Sequence, residues 1–174
     1  IHSVGLNFRD LLNVIGMYPG RPQPLGSDFS GTVIACKSQS GFQQGDNVFG
    51  FIPGCIGDIS CNADTRMIVR MPRNTTFEEA CSFPTVYTTA MCSLRYCKAN
   101  ETILVHSASG GFGSAALQIA KALGCRIVAT SGSSAKRSYL RSNGYRNVLD
   151  SRTLRFVSPE NFIPDCVVKA LTSP

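Results

Sequence analysis

The 174-residue chain has no tryptophan, only two histidines and only 16% charged residues. It contains no run of eighteen apolar residues, so no segment reads as a membrane-spanning helix. Residues 1–10 lack the basic, apolar and small-residue zones of a signal peptide. They read instead as a strand already inside a domain, which implies a native chain that starts earlier. Internal repeats and low-complexity tracts are also missing. Eight cysteines stand at Cys36, Cys55, Cys61, Cys81, Cys92, Cys97, Cys125 and Cys166, yet no two make a C-x-x-C pair. Only His2 and His106 could add imidazole. Zinc sites draw on closer ligand clusters than these, so no metal is expected. The thiols read as free, mostly buried side chains in a reducing compartment, and the expected location is cytoplasmic.

What is present is a net charge of +6 that is unevenly spread. Lys136, Arg137, Arg141, Arg146, Arg152 and Arg155 form a basic stretch relieved only by Asp150. Single-stranded nucleic-acid surfaces interleave such cations with aromatic rings, and this stretch does not. A phosphate-bearing cofactor or an acidic protein partner accounts for the charges better.

Two textures follow one another. Up to about residue 73 the chain is punctuated by Gly16, Pro19-Gly20, Pro22, Pro24, Gly26, Gly45-Asp46 and Pro53-Gly54. Short apolar runs at 30–35, 47–52 and 66–72 lie between or beyond these turns. That pattern predicts a compact β-rich domain rather than helices. From Thr76 the pattern changes. Thr76 and Glu79 have capping-box spacing; Pro84 should end or interrupt that short helix, and a second helix is expected over 87–96. A strand over 102–106, a glycine turn, a helix over 114–123 closed by Gly124, and a strand over 126–130 come next. A helix over 135–142 and strands at 147–150 and 166–168 complete the series. Strand–helix alternation predicts parallel βαβ units. The domains are therefore placed at 1–75 and 76–174. A complete doubly wound fold has about six strands, so the second domain reads as C-terminally truncated and the first as N-terminally incomplete. Such a chain is expected to be a poor catalyst by itself.

The run Ser107-Ala108-Ser109-Gly110-Gly111-Phe112-Gly113 follows a strand and opens a helix. Gly110 has no Cβ and admits a pyrophosphate to the backbone. Gly113 lets the new helix approach the sheet, and the helix N-terminus faces the phosphates. The bland reading is a tight βα turn in an unrelated α/β protein. Flanking strand and helix favour dinucleotide binding. At the end of the next strand, NAD sites place an Asp or Glu for the ribose hydroxyls. Here stand Gly132, Ser133, Lys136 and Arg137, with no carboxylate to repel a 2′-phosphate. NADPH is therefore the expected cofactor; a solvated helix start is the plainer account of either cation alone.

Gly5-Leu6-Asn7-Phe8-Arg9-Asp10, Gly16-Met17-Tyr18-Pro19-Gly20 and Leu25-Gly26-Ser27-Asp28 precede that turn in order. With His106 to Gly113, Gly132-Ser133, Lys136-Arg137 and Ser151-Arg152-Thr153-Leu154, they carry a resemblance over almost the whole chain. It resembles the enoyl reductase domain of type I polyketide synthases and animal-type fatty acid synthases. Those domains belong to the zinc-independent, quinone-oxidoreductase-like branch of the medium-chain dehydrogenase/reductase superfamily. The resemblance implies an α/β protein with an N-terminal GroES-like β-rich domain and a partial Rossmann domain. It also implies NADPH-dependent reduction of a trans-2-enoyl thioester held on acyl carrier protein, among other synthase domains.

Residue roles come from the same resemblance. Asn7 lies in the motif lining the nicotinamide cleft, although a turn-capping asparagine would look alike. Tyr18 matches a tyrosine thought to act in protonation or in steering the α-carbon; an apolar ring in a Gly-Pro turn is the alternative. Thr89 matches a hydroxyl near the nicotinamide carboxamide. Lys136 matches a lysine assigned to the 2′-phosphate or to acid catalysis, and neighbouring Arg137 favours phosphate. Asp10 and Asp28 match acidic positions with structural roles at least as plausible. The cofactor turn itself comprises Ser107, Ala108, Ser109, Gly110, Gly111, Phe112 and Gly113. Departures are Arg155 before Phe156, where an acidic residue is common, and Lys169-Ala170, where Asn-Ser is expected. They leave open a non-catalytic structural domain, which would bind NADPH without turning over thioester. A freestanding quinone or enone reductase is the other alternative; ketosynthase or acyl-carrier sequences on the same transcript would exclude it.

Overall fold

The computed structural model describes residues 1–153 and 163–169. Its contacts divide into two units, Ile1–Thr85 and Val86–Pro174.

The first unit is an antiparallel sheet in the order β1-β2-β3-β4, made of Ser3–Gly5, Asp28–Thr32, Asn47–Phe51 and Ile68–Arg70. Val4 pairs with Phe29, Phe29 with Gly50, and Phe49 with Val69. Successive strand side chains point to opposite faces, and β3 buries Val48 while Asn47 stays in solvent. Phe29, Val48, Ile52, Cys55 and Ile68 form the core.

This unit is not free of helix. Residues 6–10 leave the sheet after Gly5, and α1 covers Phe8–Val14. Residues 1–10 are thus a three-residue strand followed by a helix, not one strand. An amphipathic pattern could not reveal α1, because its apolar side chains are largely in solvent: Phe8 is 60%, Leu11 51% and Val14 68% exposed. The helix is held at its N-terminus instead. Asp10, only 3% exposed, accepts the Asn7 N–H at 2.9 Å and the Gly26 N–H at 2.9 Å. Of the expected strand over 66–72, residues 68–70 form β4, and a 3₁₀ turn, Thr65–Met67, precedes it. The run at 30–35 is also shifted, since β2 starts at Asp28 and ends at Thr32.

The sequence texture changes at Thr76, but the contacts change at Thr85. Short helix α2, Phe77–Ala80, has the expected cap: Thr76 Oγ1 accepts the Glu79 N–H and Glu79 accepts the Thr76 N–H. The Ser30 hydroxyl donates to the Phe77 carbonyl, which ties α2 to the β-sheet. Pro84 does not end that helix; it begins the next one, α3, Pro84–Leu94. A proline lacks only an N–H that a first turn leaves unpaired anyway. Buried Asp28 sits at this helix start and accepts both the N–H and the hydroxyl of Thr85. Asp10 and Asp28 therefore both serve backbone hydrogen bonding.

The second unit is a parallel sheet in the order β7-β6-β5-β8, from Val148–Asp150, Arg126–Ser131, Thr102–Val105 and Cys166–Val168. The central pair lies between its later neighbours, as in one half of a doubly wound fold. Helices α4, Gly111–Ala122, and α5, Ser134–Ser142, make the crossovers. α4 buries Leu117 together with Ala115, Ala116 and Ala120, whose small side chains let it lie close to the strands. Gly124, at φ +74, ends α4 in a conformation that glycine adopts without a Cβ clash. Ile103, Val105, Ala129, Leu140 and Val148 complete this core. Together the two units are a GroES-like β-rich domain followed by a Rossmann-like region. No helix among the described residues is long and apolar enough to cross a membrane.

The cysteines correct an expectation. All eight are free, but only Cys55 and Cys81 are buried, while Cys36 and Cys92 are exposed. Burial pushes the Cys55 thiol up to about 11, helped by the nearby Asp28 charge.

Candidate functional site

Between β5 and α4 the backbone makes a sharp reversal. Ser107 adopts φ +51, a left-handed conformation that is uncommon for a residue with a side chain. Such strain concentrates at ligand-binding turns. The turn is fastened from both sides: Ala108 N–H donates to Thr130 O at 3.0 Å, and Gly110 N–H to Ser107 O at 3.0 Å. Ser109 and Ser131 hydroxyls lie 3.1 Å apart, linking the turn to the end of β6. A Cβ on Gly113 would collide with the Ser107 carbonyl oxygen and stand 2.6 Å from Ala108 Cα. That close approach permits glycine alone. Gly110 is the N-cap of α4, and no side chain caps the helix there. The first N–H groups and the positive end of the helix dipole are left for an anion. Gly111 is exposed beside the turn, and Phe112 packs half-buried against the core.

The end of β6 adds the second group. Ser133 caps α5 by accepting the Lys136 N–H at 3.3 Å. Lys136 itself is exposed. Arg137 is not available in the same way: it pairs with Asp150 Oδ2 at 3.0 Å and donates to the Ser131 carbonyl. The parallel register of Ser131 with Asp150 makes that pair possible. A cation that the sequence places in the basic stretch, but not among the assigned cofactor residues, stands here. Arg152 is exposed, its backbone N–H is held by Asp150 Oδ1, and its Nε lies 3.3 Å from where a Gly132 Cβ would be. No carboxylate closes the end of β6, where Ser131, Gly132 and Ser133 stand.

His106 precedes the turn, with Nδ1 3.0 Å from the Thr130 hydroxyl. Burial, aided by Lys169, lowers its pKa below the ordinary 6.5 and keeps the ring neutral. Unfolding would free it to take up a proton. The stability it supports is thus complete above about pH 6.5 and declines as the pH falls through that value. Thermal unfolding from pH 7.5 to about 5.5 should show a shallower loss in His106→Asn than in the unaltered chain; parallel slopes would assign the loss to another group.

The remaining predicted residues stand on other elements. Thr89 is exposed on α3, where its carbonyl accepts the Ser93 hydroxyl. Asn7 is the N-cap of α1, as a turn-capping asparagine would be, but its side-chain Nδ2 is buried without an acceptor. Arg9 also buries one terminal nitrogen that makes no hydrogen bond, although it stands 3.5 Å from Asp10 Oδ1 as an ion pair. Tyr18 is half-buried four residues beyond α1, its N–H bonded to Leu12 O. Leu154, Arg155, Phe156 and Ala170 lie outside the described residues. Among the described residues, no three His, Cys, Asp or Glu side chains group to hold a metal.

Comparison with known proteins places this geometry. The family described as "Alcohol dehydrogenase GroES-like domain" matches residues 1–118, and "Zinc-binding dehydrogenase" matches 111–160. A phenolphthiocerol synthesis polyketide synthase type I, Pks15/1, of Mycobacterium marinum is 39% identical over 162 residues, 90% of this chain and 8% of its own. The crystal structure of CurK enoyl reductase shares 32% identity at a TM-score of 0.74, covering 88% of this chain and 50% of that one. The quinone oxidoreductase of Coxiella burnetii shares 26% identity at a TM-score of 0.80, covering 97% and 57%. The chain thus spans under a tenth of that synthase and about half of each of these structures. It belongs to the GroES-like alcohol dehydrogenase, or medium-chain dehydrogenase/reductase, superfamily, as an enoyl-reductase and quinone-oxidoreductase-like oxidoreductase domain.

Proposed function

We propose that this chain serves NADPH-dependent reduction of a carbon–carbon double bond conjugated to a thioester carbonyl, the substrate being a trans-2-enoyl group on acyl carrier protein. The observation that carries the cofactor half is the turn at residues 107–113, whose uncapped helix start and Cβ-free Gly113 fit a pyrophosphate. Lys136 and Arg152, with the hydroxyl and backbone of Ser133, would hold the 2′-phosphate; Arg137 would orient that edge through its pair with Asp150. When bound there, NADPH would supply the hydride for the β-carbon, and a proton from solvent or a side chain would complete the saturated thioester at the α-carbon. The chain must meet the charge that develops on the thioester oxygen. The unpartnered amide of Asn7 is a donor suited to such an oxygen. Tyr18 is the proposed proton donor or steering group, and Thr89 a cofactor contact.

The synthase relative supports the thioester reading; the quinone oxidoreductase likeness supports a second one, a freestanding quinone or enone reductase. Loss of NADPH absorbance in the full-length polypeptide bearing this chain separates them. Crotonyl thioester should be turned over faster than a quinone, in the presence of chelator. Faster quinone turnover would replace the substrate, and NADPH binding without either activity would indicate a non-catalytic domain.

A further inference from the structure

A second charged feature lies at the other end of the parallel sheet and is not used by the reductase reading. Where the chain leaves α4 and α5 to enter β6 and β7, a cleft of about 200 Å³ is lined by Lys121, Cys125, Ile127, Tyr145, Arg146 and Asn147, with Gly144. The phosphate turn follows the opposite, C-terminal end of β5. Lys121, Arg146 and Asn147 are exposed, and Arg126 and Arg141 stand exposed on the adjoining segments. Arg141 is anchored by donating to Val148 O at the start of β7. Burial, with the neighbouring Tyr87 and Tyr139, raises the Tyr145 pKa, so its hydroxyl keeps its proton near neutral pH.

Among the described residues, the cations there form no ion pair. The ion pairs among the described residues are Arg9–Asp10, Arg66–Asp64, Arg70–Asp46 and Arg137–Asp150. Lys121, Arg126, Arg141 and Arg146 join none of these. The second unit's described carboxylates are Glu101, Asp150 and Asp165. Asp150 holds Arg137, Asp165 accepts the Thr102 N–H, and Glu101 accepts the Lys98 N–H while its charge still reaches Cys125. The negative ends of α4 and α5 account for basic residues in their last turns, Lys121 and Arg141. They do not account for Arg126 on the strand or Arg146 in the loop. A small cleft walled by a lysine, an arginine, a phenol and an amide offers two cations and two neutral donors to a carboxylate-sized group.

We propose that this cleft is a docking surface for an acidic protein segment, with an Asp or Glu carboxylate seated between Lys121 and Arg146. Charge complementarity selects the partner. Because the cleft and the phosphate turn lie at opposite ends of the strands, docking does not compete with NADPH.

The test is fluorescence anisotropy of a labelled ten-residue Asp/Glu peptide titrated with the chain, with and without NADPH. Saturable binding is expected, unaffected by NADPH and weakened by salt. Lys121→Glu with Arg146→Glu should weaken it by about tenfold or more while leaving NADPH affinity unchanged. Lys136→Glu with Arg152→Glu changes net charge equally at the other end, and should lose NADPH but keep the peptide. The milder Arg146→Gln should weaken peptide binding by about threefold, which guards against a misfolded double variant. Equal peptide loss in both double variants would overturn the proposal, as would equal binding of an Asn/Gln peptide or tighter binding of a single-stranded oligonucleotide of matched charge. Failure of the unaltered chain to bind NADPH would count against the proposed reductase and not against this cleft.

Discussion

Gly113→Ala is expected to abolish nicotinamide-nucleotide binding and to destabilise the second unit. The added methyl group would enter space held by the Ser107 carbonyl oxygen and by Ala108 Cα at 2.6 Å. Both are backbone atoms, so no side-chain rotation relieves the clash. They are also fixed: Ala108 is bonded to Thr130 O, and Ser107 already holds a left-handed φ of +51. Overpacking a rigid site costs about 1–3 kcal/mol. Relief requires α4 to move away from β5, and that displaces the helix N-terminus that receives the pyrophosphate. Gly111→Ala is the matched control, because its Cβ would meet only Val86 Cγ1 at an ordinary 3.5 Å. Calorimetric titration and thermal unfolding of the two variants should therefore diverge. Nucleotide affinity for Gly113→Ala within a few-fold of the unaltered chain would show that the turn does not hold the phosphates.

That contrast marks what a sequence can disclose. The β5–turn–α4 unit was legible because its signals are local: an apolar strand, a glycine pattern and an alanine-rich helix within about twenty residues. The roles of neighbouring glycines were only partly legible, since Gly113 meets the backbone of its own turn whereas Gly111 opens toward Val86. α1 was hidden for a physical reason. Its stability rests on Asp10 bridging Asn7 and Gly26, not on an apolar face, and periodicity detects only faces. Pro84 was misread because proline marks both the end of one helix and the start of another. Among the basic residues, identity alone did not distinguish engaged from available cations. Arg137 is drawn to Asp150 because β6 and β7 run in parallel register, a pairing thirteen positions apart in the chain. The same register brings Arg152 beside Gly132. Neither relation is written in local spacing.

This difference between Arg137 and Arg152 sets the expected outcome for cofactor choice. On the proposed reading, NADPH binds more tightly than NADH, and Lys136→Ala with Arg152→Ala removes most of that preference. Each exposed cation would contribute a charge-assisted hydrogen bond to the 2′-phosphate, worth about 1.5–3 kcal/mol. One such bond corresponds to about tenfold to a hundredfold in affinity. NADH has no phosphate at that position, so its affinity should move little in the double variant. Salt should also weaken NADPH more than NADH, because exposed ion contacts are screened. Arg137→Ala should behave differently: it leaves Asp150 unpaired beside the site, and it lowers thermal stability as well as NADPH affinity. A direct ligand would lower NADPH affinity without the stability loss. Fluorescence titration of both nucleotides against the three proteins reads each outcome. Equal affinities for NADPH and NADH in the unaltered chain would remove the phosphate assignment. An unchanged ratio in Lys136→Ala/Arg152→Ala, with loss in Arg137→Ala, would move the assignment to Arg137 and require the Asp150 pair to open when the cofactor binds.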